Sequence, residues 1–340
     1  MILPSLIALL APLQVDSSAP SPHHQFDFWI GEWSVQNRHF QEDGSWKDGD
    51  VTRARITPVC GHRAVLEEWA GPFRGSFMNG FSLRAYDPAR EDWDLLLFWT
   101  TDGNGGFGRL RGGFRHGRGE FFSGAGDDLQ RYTFSDALPD SVRWDSALTS
   151  DGGRSWRTDW IMEFSRTAPA SSTTQEHLFE IPWSEGELSP HAEARAMDWA
   201  LGSWTGTYSD LAGERELEAR LRCKLLDKDC LLLDLLETRA PGEEDWHERL
   251  AVRGYVAQRG AWESHRLSED DPVLRGAVGR PTAEVAVFEE ARPGGGLWRE
   301  AWRPLEDDGL AIELEEREGA AGALELRAVV ELRRIPDRPR

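Results

Sequence analysis

Two stretches of the chain carry an arginine and a tyrosine two positions apart, a spacing suited to holding an acidic ligand. They are Arg84 and Tyr86 in LRAYDPAREDW, and Arg253 and Tyr255 in VRGYVAQRGAW. Residues two apart on a β-strand point to the same face, so a guanidinium and a phenol there could together anchor a carboxylate. The alternation in LRAY also allows the opposite orientation, with the leucine and alanine inside and the two polar side chains in water.

The motif LEEW places two carboxylates, Glu67 and Glu68, next to each other. Adjacent strand residues point to opposite faces, so these two cannot work together as the acid and the base across one substrate. Only one of them can face a cavity, and Glu68 is the candidate for ligand binding.

The remaining chemistry-bearing residues form no recognisable catalytic arrangement. GNGGFG at residues 103–108 matches the Gly-x-Gly-x-x-Gly pattern, but no helix follows it to receive a pyrophosphate. The nine histidines are scattered and show no metal-binding spacing. The chain has neither a Gly-x-Ser-x-Gly elbow nor a cysteine–histidine arrangement suited to a nucleophile. The sequence therefore predicts no catalytic residue, no metal site and no cofactor.

These candidates belong to a chain that repeats itself. Three segments of the first half match three segments of the second half in the same order, which indicates a two-fold duplication. The matching pairs are FDFWIGEW (26–33) with MDWALGSW (197–204), LRAYDPAREDW (83–93) with VRGYVAQRGAW (252–262), and WIMEFSR (160–166) with AVVELRR (328–334). We expect two copies of one domain, at residues 24–166 and 196–335, joined by a linker at residues 167–195 that begins Ser/Thr/Ala/Pro-rich.

Each copy consists of short segments rich in aromatic and β-branched residues, with turn residues between them. In the first copy the series begins with FWIGEWSVQNRHF and ends with SWRTDWIMEFS. An antiparallel meander of about ten strands exposes two long edges unless it closes on itself. The pattern therefore predicts an all-β fold of two tandem antiparallel β-barrels with about ten strands each.

Gly-x-Trp near the start of each copy resembles the signature of the lipocalin and fatty-acid-binding (calycin) superfamily. In that superfamily the tryptophan plugs the closed end of the barrel, and an arginine on or after the last strand packs across it. The resemblance implies an architectural role for the matching residues, which are Gly31, Trp33 and Arg166 in the first copy and Gly202, Trp204 and Arg334 in the second.

A closer resemblance is to a family of bacterial lipocalin-like domains of unknown function. Members carry stretches like FDFWIGEW, LEEW, AYDP and SDGGRSW, all of which occur in the first copy. The second copy keeps LGSW and is more similar to the nitrobindin-type barrel. That similarity implies an alternative in which one histidine holds haem, and His247 and His265 are the candidates at strand positions.

Composition and the N-terminus limit the partners and the compartment. The formal net charge of −20 over 340 residues disfavours binding to nucleic acid or to anionic lipid. The segment MILPSLIALLAPLQVDSSAP contains an apolar run that is too short to span a membrane but typical of a signal-peptide core. We therefore expect a signal peptide at residues 1–19, a secreted or periplasmic protein, and no other membrane span.

The three cysteines exclude a disulfide-dense scaffold. Cys223 and Cys230 flank KLLDKD, and a two-residue turn at Leu226 and Asp227 would place the two cysteines opposite each other on neighbouring strands. In an exported protein such a pair forms a disulfide; the alternative is a reduced, buried pair.

The leading hypothesis is an exported lipocalin-like protein that binds a small apolar or amphipathic molecule in one or both barrels. One alternative is a cavity enzyme with isomerase or hydratase chemistry. Another is a haem-binding barrel. A third is a barrel without a cavity that serves protein contacts, in which the interior is filled by large residues such as Trp69, Phe98, Trp99 and Trp160.

Overall fold

The structure is a computed structural model that describes residues 21–73, 75–99, 106–169, 178–179, 192–227 and 231–336. The first ten strands are β1 Gly31–Phe40, β2 Trp46–Val59, β3 Ala64–Phe73, β4 Ser76–Asp87, β5 Asp92–Trp99, β6 Gly106–Arg115, β7 Arg118–Ala125, β8 Asp128–Leu138, β9 Ser141–Thr149 and β10 Arg157–Ala168. The next ten are β11 Gly202–Asp210, β12 Arg215–Asp227, β13 Leu231–Arg239, β14 His247–Val256, β15 Ala261–Ser268, β16 Arg275–Gly279, β17 Ala286–Ala291, β18 Leu297–Leu305, β19 Gly309–Arg317 and β20 Glu325–Arg334. Short 3₁₀ helices occur at Pro22–His24, Asp27–Trp29, Ala192–Arg195, Asp198–Ala200, Ala257–Arg259 and Pro293–Gly295.

Each set of ten strands forms a closed antiparallel barrel. Every strand pairs with its neighbours in sequence, and the first strand of each set pairs with the last, so that neither barrel has a free edge. The predicted fold of two tandem ten-stranded β-barrels is therefore confirmed.

The two barrels have the same strand pairing, so residues can be matched between them by position. Arg84 pairs with Leu95 on the following strand, and Arg253 pairs with Ser264 in the same way. Residues that occupy the same place in this pairing are called equivalent. Arg84 and Arg253 are thus equivalent, as the sequence repeat predicts.

The first strand begins later than the sequence predicts. Asp27–Trp29 forms a 3₁₀ helix, and the strand starts only at Gly31, whose φ is 134°. Gly202 starts β11 with a φ of 120°. Glycine adopts such positive φ values readily because it lacks a Cβ. The bend directs Phe26 and Trp29, both 0% exposed, into the end of the barrel rather than along its wall.

The barrels pack against each other through their outer faces. Leu66, Leu83 and Phe98 point away from the interior of the first barrel and share one buried cluster with residues of the second. A Cβ on Gly254 would lie 2.9 Å from the Phe107 ring, so the close approach of the barrels requires glycine there. Phe98 therefore lies between the barrels and does not fill one, contrary to the prediction; the Trp99 side chain lies outside the described residues.

The β12–β13 hairpin exists, but the predicted turn at Leu226 and Asp227 is wrong. Asp227 pairs with Leu231, so it belongs to strand β12 and not to a turn. Cys223 consequently lies opposite Asp234 as a buried, free thiol, and Cys230 lies outside the described residues. Residues 1–20 and most of the linker also lie outside them. Among the residues that the structure describes, no helix is long and apolar enough to cross a bilayer.

Candidate ligand-binding site

Both barrels are closed at one end by a tryptophan under an arginine. The guanidinium carbon of Arg166 lies 4.0 Å from the Trp33 ring centre, and that of Arg334 lies 4.1 Å from the Trp204 ring centre. These distances permit a cation–π interaction in each barrel. The residues named by the superfamily resemblance are thus brought together twice in the same way.

The same arginines also bind the backbone that leads into each first strand. Arg166 donates hydrogen bonds to the carbonyl oxygens of Phe28 and Ile30, at 2.9 and 2.6 Å. Arg334 donates to the equivalent pair of carbonyls in the second barrel. A guanidinium presents several donors in a fixed plane, which lets one side chain stack on the ring and satisfy these carbonyls together.

Arg84 points into the first barrel but meets no open space there. Its Nη2 lies 3.3 Å from Glu67 Oε2, which also accepts a hydrogen bond from the Ser82 hydroxyl at 2.7 Å. The guanidinium carbon lies 4.0 Å from the Trp29 ring centre. Burial lowers the pKa of Arg84 to about 10, against the opposing effect of Glu67. The side chain remains a cation at neutral pH, enclosed by aromatic rings.

Tyr86 also faces the interior, but it lies at the closed end among other aromatic rings. Its ring centre is 5.2 Å from that of His23 and 5.8 Å from that of Trp93. The predicted Arg84–Tyr86 pair therefore shares one face of β4 without lining a cavity.

Glu68 does not face the interior, so its predicted role in ligand binding inside the first barrel is wrong. The alternation along β3 turns Glu67 inward and Glu68 outward. Arg55 Nη2 donates to Glu68 at 2.6 Å, and Lys224 Nζ of the second barrel donates to it at 3.0 Å. Glu68 is therefore an ion-pair partner between the two barrels.

Aromatic rings pack together toward the open end of the first barrel, where His39 and Phe73 also line an outer hollow of about 930 Å³. The Trp160 ring centre lies 5.1 Å from those of Phe73 and Trp144, 5.6 Å from that of His39 and 6.3 Å from that of Trp69. Such separations are typical of packed aromatic pairs. Trp69 is 0% exposed inside this barrel, as the hypothesis of a filled barrel predicts, whereas Trp160 is half-buried toward its open end.

The second barrel has a charged centre in place of the aromatic one. Arg253 donates to Asp234, the equivalent of Glu67, at 2.6 Å from Nε and to Glu300 at 2.6 Å from Nη2. Its Nη1 donates to the Ser264 hydroxyl at 3.1 Å. The side chains of Arg253, Asp234 and Glu300 are all 0% exposed. This network holds Arg253 below the open end, where it does not reach solvent.

Glu300 interacts with three arginines of the second barrel. Burial opposes its ionisation, but Arg249, Arg253 and Arg266 outweigh that effect and lower its pKa from 4.5 to about 2. Burial raises the pKa of Asp234, although Arg253 acts against the change. The pKa of Glu300 is therefore lowered and that of Asp234 raised, although both carboxyl groups are buried in the same barrel.

A cavity of about 450 Å³ occupies the open end of the second barrel. Arg249 lies at its base, where its Nη2 is 3.4 Å from Glu300 Oε1. The lining includes the apolar residues Leu217, Leu236, Ala240 and Leu314, the polar residues Tyr208, Thr238, His247 and Ser268, and the charged residues Asp210, Arg215, Glu243, Glu248, Arg249 and Asp270. The volume lies within the range typical of small-molecule sites.

The second copy has smaller residues where the first has three rings, and one of these residues, Leu236, lines the cavity. The strand pairing makes Trp69 equivalent to Leu236, Trp144 to Ile312 and Trp160 to Ala328. Three indole rings are thus replaced by two branched aliphatic side chains and a methyl group at one end of the same fold.

The arginine–tyrosine pair that lines this cavity is not the predicted one. Neither Arg253 nor Tyr255 lines it, whereas Arg249 and Tyr208 do. Arg249 is four residues before Arg253 on β14 and so faces the same side, a period-two signal present in the sequence. Tyr208 carries no such signal, because it comes from a distant strand that joins the site only when the barrel closes.

The two histidines of the haem alternative lie in different places. His247 lines the cavity. His265 points outward instead, with its ring centre 4.5 Å from that of Phe107 in the first barrel. Only His247 therefore remains a candidate for a ligand group inside the second barrel.

The comparisons with known proteins leave the function open. No family model and no curated protein match the chain. One similar solved structure is a protein of unknown function from the DUF3598 family of Nostoc punctiforme PCC 73102. It shares 12% sequence identity and a TM-score of 0.28, with 93% of this chain and 100% of that chain covered. At this level of similarity the function has to be argued from the site itself.

Proposed function

We propose that the second barrel binds a small amphipathic carboxylate in the cavity at its open end, and that the first barrel is a filled, structural copy. The observation that carries the proposal is the replacement of Trp69, which is 0% exposed inside the first barrel, by Leu236, which lines the cavity of the second. Concave sites with an apolar wall and a few converging polar groups are the usual sites for small ligands.

The donors at the base of the cavity suit a carboxylate. Arg249 and Tyr208 both line it, and Arg249 Nε is buried with no hydrogen-bond partner among the described residues. Leu217, Leu236 and Leu314 supply an apolar wall for the rest of the molecule. Arginine binds carboxylates with paired, charge-assisted hydrogen bonds, so the head group would lie against Arg249.

The mouth of the cavity limits how much negative charge a ligand can carry. Asp210, Glu243, Glu248 and Asp270 line it, and of these Asp210 is paired with Arg215 at 2.7 Å. Like charges repel at such a mouth. A ligand with a single carboxylate and an apolar body fits both the mouth and the base, whereas a polyanion does not.

Isothermal titration with decanoate tests the proposal, with decanol as the uncharged probe of the same chain length. We expect Arg249→Met to weaken decanoate binding about 10- to 100-fold. A hydrogen bond to a charged group contributes about 1.5–3 kcal/mol, which corresponds to a change in affinity of this size. Decanol binding should change little. The matched control is Arg303→Met, which removes a surface arginine paired with Glu313. Equal affinity of the wild type and Arg249→Met for decanoate would contradict the carboxylate assignment.

Leu236→Trp tests the cavity itself, because it restores at this position the residue that closes the first barrel. We expect this variant to fold, as judged by circular dichroism, and to lose both decanoate and decanol binding. A folded variant that still binds decanoate with wild-type affinity refutes the placement of the ligand in the second barrel.

The apolar segment at residues 1–19 supports export of such a binding protein. N-terminal sequencing of the mature protein from its native host tests this, since cleavage after Ala19 leaves Pro20 as the first residue. A mature chain that retains Met1 would contradict export by this route.

A further inference from the structure

Three metal-ligating side chains meet outside the closed end of the first barrel, away from the cavity. His24 and Asp27 come from the segment before β1, and His62 comes from the turn between β2 and β3. His24 Nδ1 lies 2.8 Å from Asp27 Oδ2, and the ring centres of His24 and His62 are 6.0 Å apart. One ligand atom of each residue lies within 4.8 Å of the other two, the only such group of three in the part of the chain that the structure describes.

We infer that His24, Asp27 and His62 bind a divalent transition-metal ion of the Zn²⁺ class. Two imidazoles and one carboxylate form a donor set that Zn²⁺ and Co²⁺ accept, and three protein ligands leave a fourth position for water. All three side chains are exposed. They can therefore turn toward an ion without opening the core.

The segment that carries His24 and Asp27 is held rigidly from behind. Between them, Gln25 accepts a hydrogen bond from Trp93 Nε1 at 2.8 Å, and Phe26 is 0% exposed within the barrel end. These anchors turn the two ligand residues toward solvent on the same side. A site whose backbone is already ordered loses little further conformational entropy when it binds an ion.

The turn that carries His62 has an unusual backbone. Arg63 N donates to Cys60 O at 2.9 Å, and the two residues between them, Gly61 and His62, have φ values of 56° and 62°. A positive φ is readily adopted by glycine but costs free energy for histidine. Strain of this kind clusters at functional sites, and here it directs the His62 ring toward His24. Glu269 of the second barrel packs against Gly61 and adds a negative charge beside the turn.

Titration of the untagged full chain with Zn²⁺, followed by calorimetry, and with Co²⁺, followed by its visible absorption, tests the inference. His62→Asn removes the imidazole and keeps a residue that tolerates a positive φ, and Asp27→Asn removes the carboxylate. We expect each change to weaken Zn²⁺ binding about tenfold or more. The matched control is His116→Asn, because His116 is exposed in another hairpin turn with a φ of 53°.

The expected result is a single equivalent of Zn²⁺ bound by the wild type and by His116→Asn, with the intense Co²⁺ bands of a four-coordinate site. Wild-type protein that binds no Zn²⁺ overturns the inference, and so does an equal loss in His116→Asn. A Co²⁺ spectrum identical to that of the hydrated ion has the same consequence. Decanoate binding in the second barrel is measured separately, so the failure of either proposal leaves the other standing.

Discussion

Replacing Glu300 with glutamine removes the negative charge on which three arginines of the second barrel converge. Glu300 is 0% exposed. Against the opposing effect of burial, Arg249, Arg253 and Arg266 lower its pKa from 4.5 to about 2. A shift of this size corresponds to about 3 kcal/mol of unfolding free energy at pH 7. We therefore expect Glu300→Gln to be less stable than the wild type by about that amount.

The difference should depend on pH in a defined direction. The folded pKa of Glu300 lies below the unfolded value of 4.5, so its stabilisation is present above pH 4.5 and is lost as the pH falls toward 2. Linkage gives a difference between the two proteins of about 3 kcal/mol at pH 7 and about 1 kcal/mol at pH 3. Burial raises the pKa of Asp234, so that group acts in the opposite direction. Both proteins contain Asp234, so most of its effect cancels when the stability of Glu300→Gln is subtracted from that of the wild type.

Urea unfolding at pH 7 and pH 3, followed by circular dichroism, measures the two differences. Glu313→Gln is the control, because its ion pair with Arg303 is largely at the surface and such pairs contribute about 0–1 kcal/mol. Equal stability of Glu300→Gln and the wild type at pH 7 would refute the reasoning. A difference of the same size at both pH values would also refute it, because the stabilisation would then not depend on the charge of Glu300.

Two further changes test the packing of the barrels. Trp160→Ala should destabilise the first barrel by less than the ~3–5 kcal/mol typical of a fully buried tryptophan, because Trp160 is half-buried, and should let the open end bind decanol. A stably folded variant that takes up no decanol would show that the ring does not close that end. Arg166→Met and Arg334→Met each remove a ring contact; the first also removes three carbonyl hydrogen bonds and the second removes two. Each should cost about 1.5–3 kcal/mol in urea unfolding, and a negligible loss in one of them would show that the two plugs differ.

The fold was predictable because it depends on local sequence patterns that occur in both halves of the chain. Aromatic and β-branched segments separated by turns predict strands, and the second Gly-x-Trp at Gly202 and Trp204 shows that the pattern starts again. The start of β1 was not predictable in the same way. Phe28 and Trp29 are residue types that favour a strand, but they lie in a 3₁₀ helix because this segment packs into the end of the barrel.

The site was harder to predict because its residues come from strands far apart in the chain. Arg84 and Arg253 are equivalent and both face inward, as one reading of LRAY allowed, yet neither lines the cavity. The choice between Glu67 and Glu68 depends on which face of β3 meets the second barrel, and one strand cannot reveal that. The His24–Asp27–His62 group was missed because its spacing fits no metal motif and only the packing of a turn against the N-terminal segment creates it.

The second barrel differs from the first both in its cavity and in the buried charges beneath it, and the two differences are linked. The pairing makes Gly80 of the first barrel equivalent to Arg249 and Leu97 equivalent to Arg266. The two arginines that the second barrel gains are therefore those that join Arg253 in stabilising Glu300.

The position of Glu300 explains why the second barrel has both Arg249 and Arg266. Its equivalent is Tyr132, whose pKa burial raises to about 12, so that the first barrel carries a neutral phenol there. A buried carboxylate at that point requires additional cations, and Arg249 supplies one of them from the base of the cavity. In the first barrel the space opposite Gly80 is taken by Trp69; in the second the smaller Leu236 leaves room for Arg249. Glu300 thus holds in place the arginine to which we assign the ligand, and Glu300→Gln should weaken decanoate binding as well as stability.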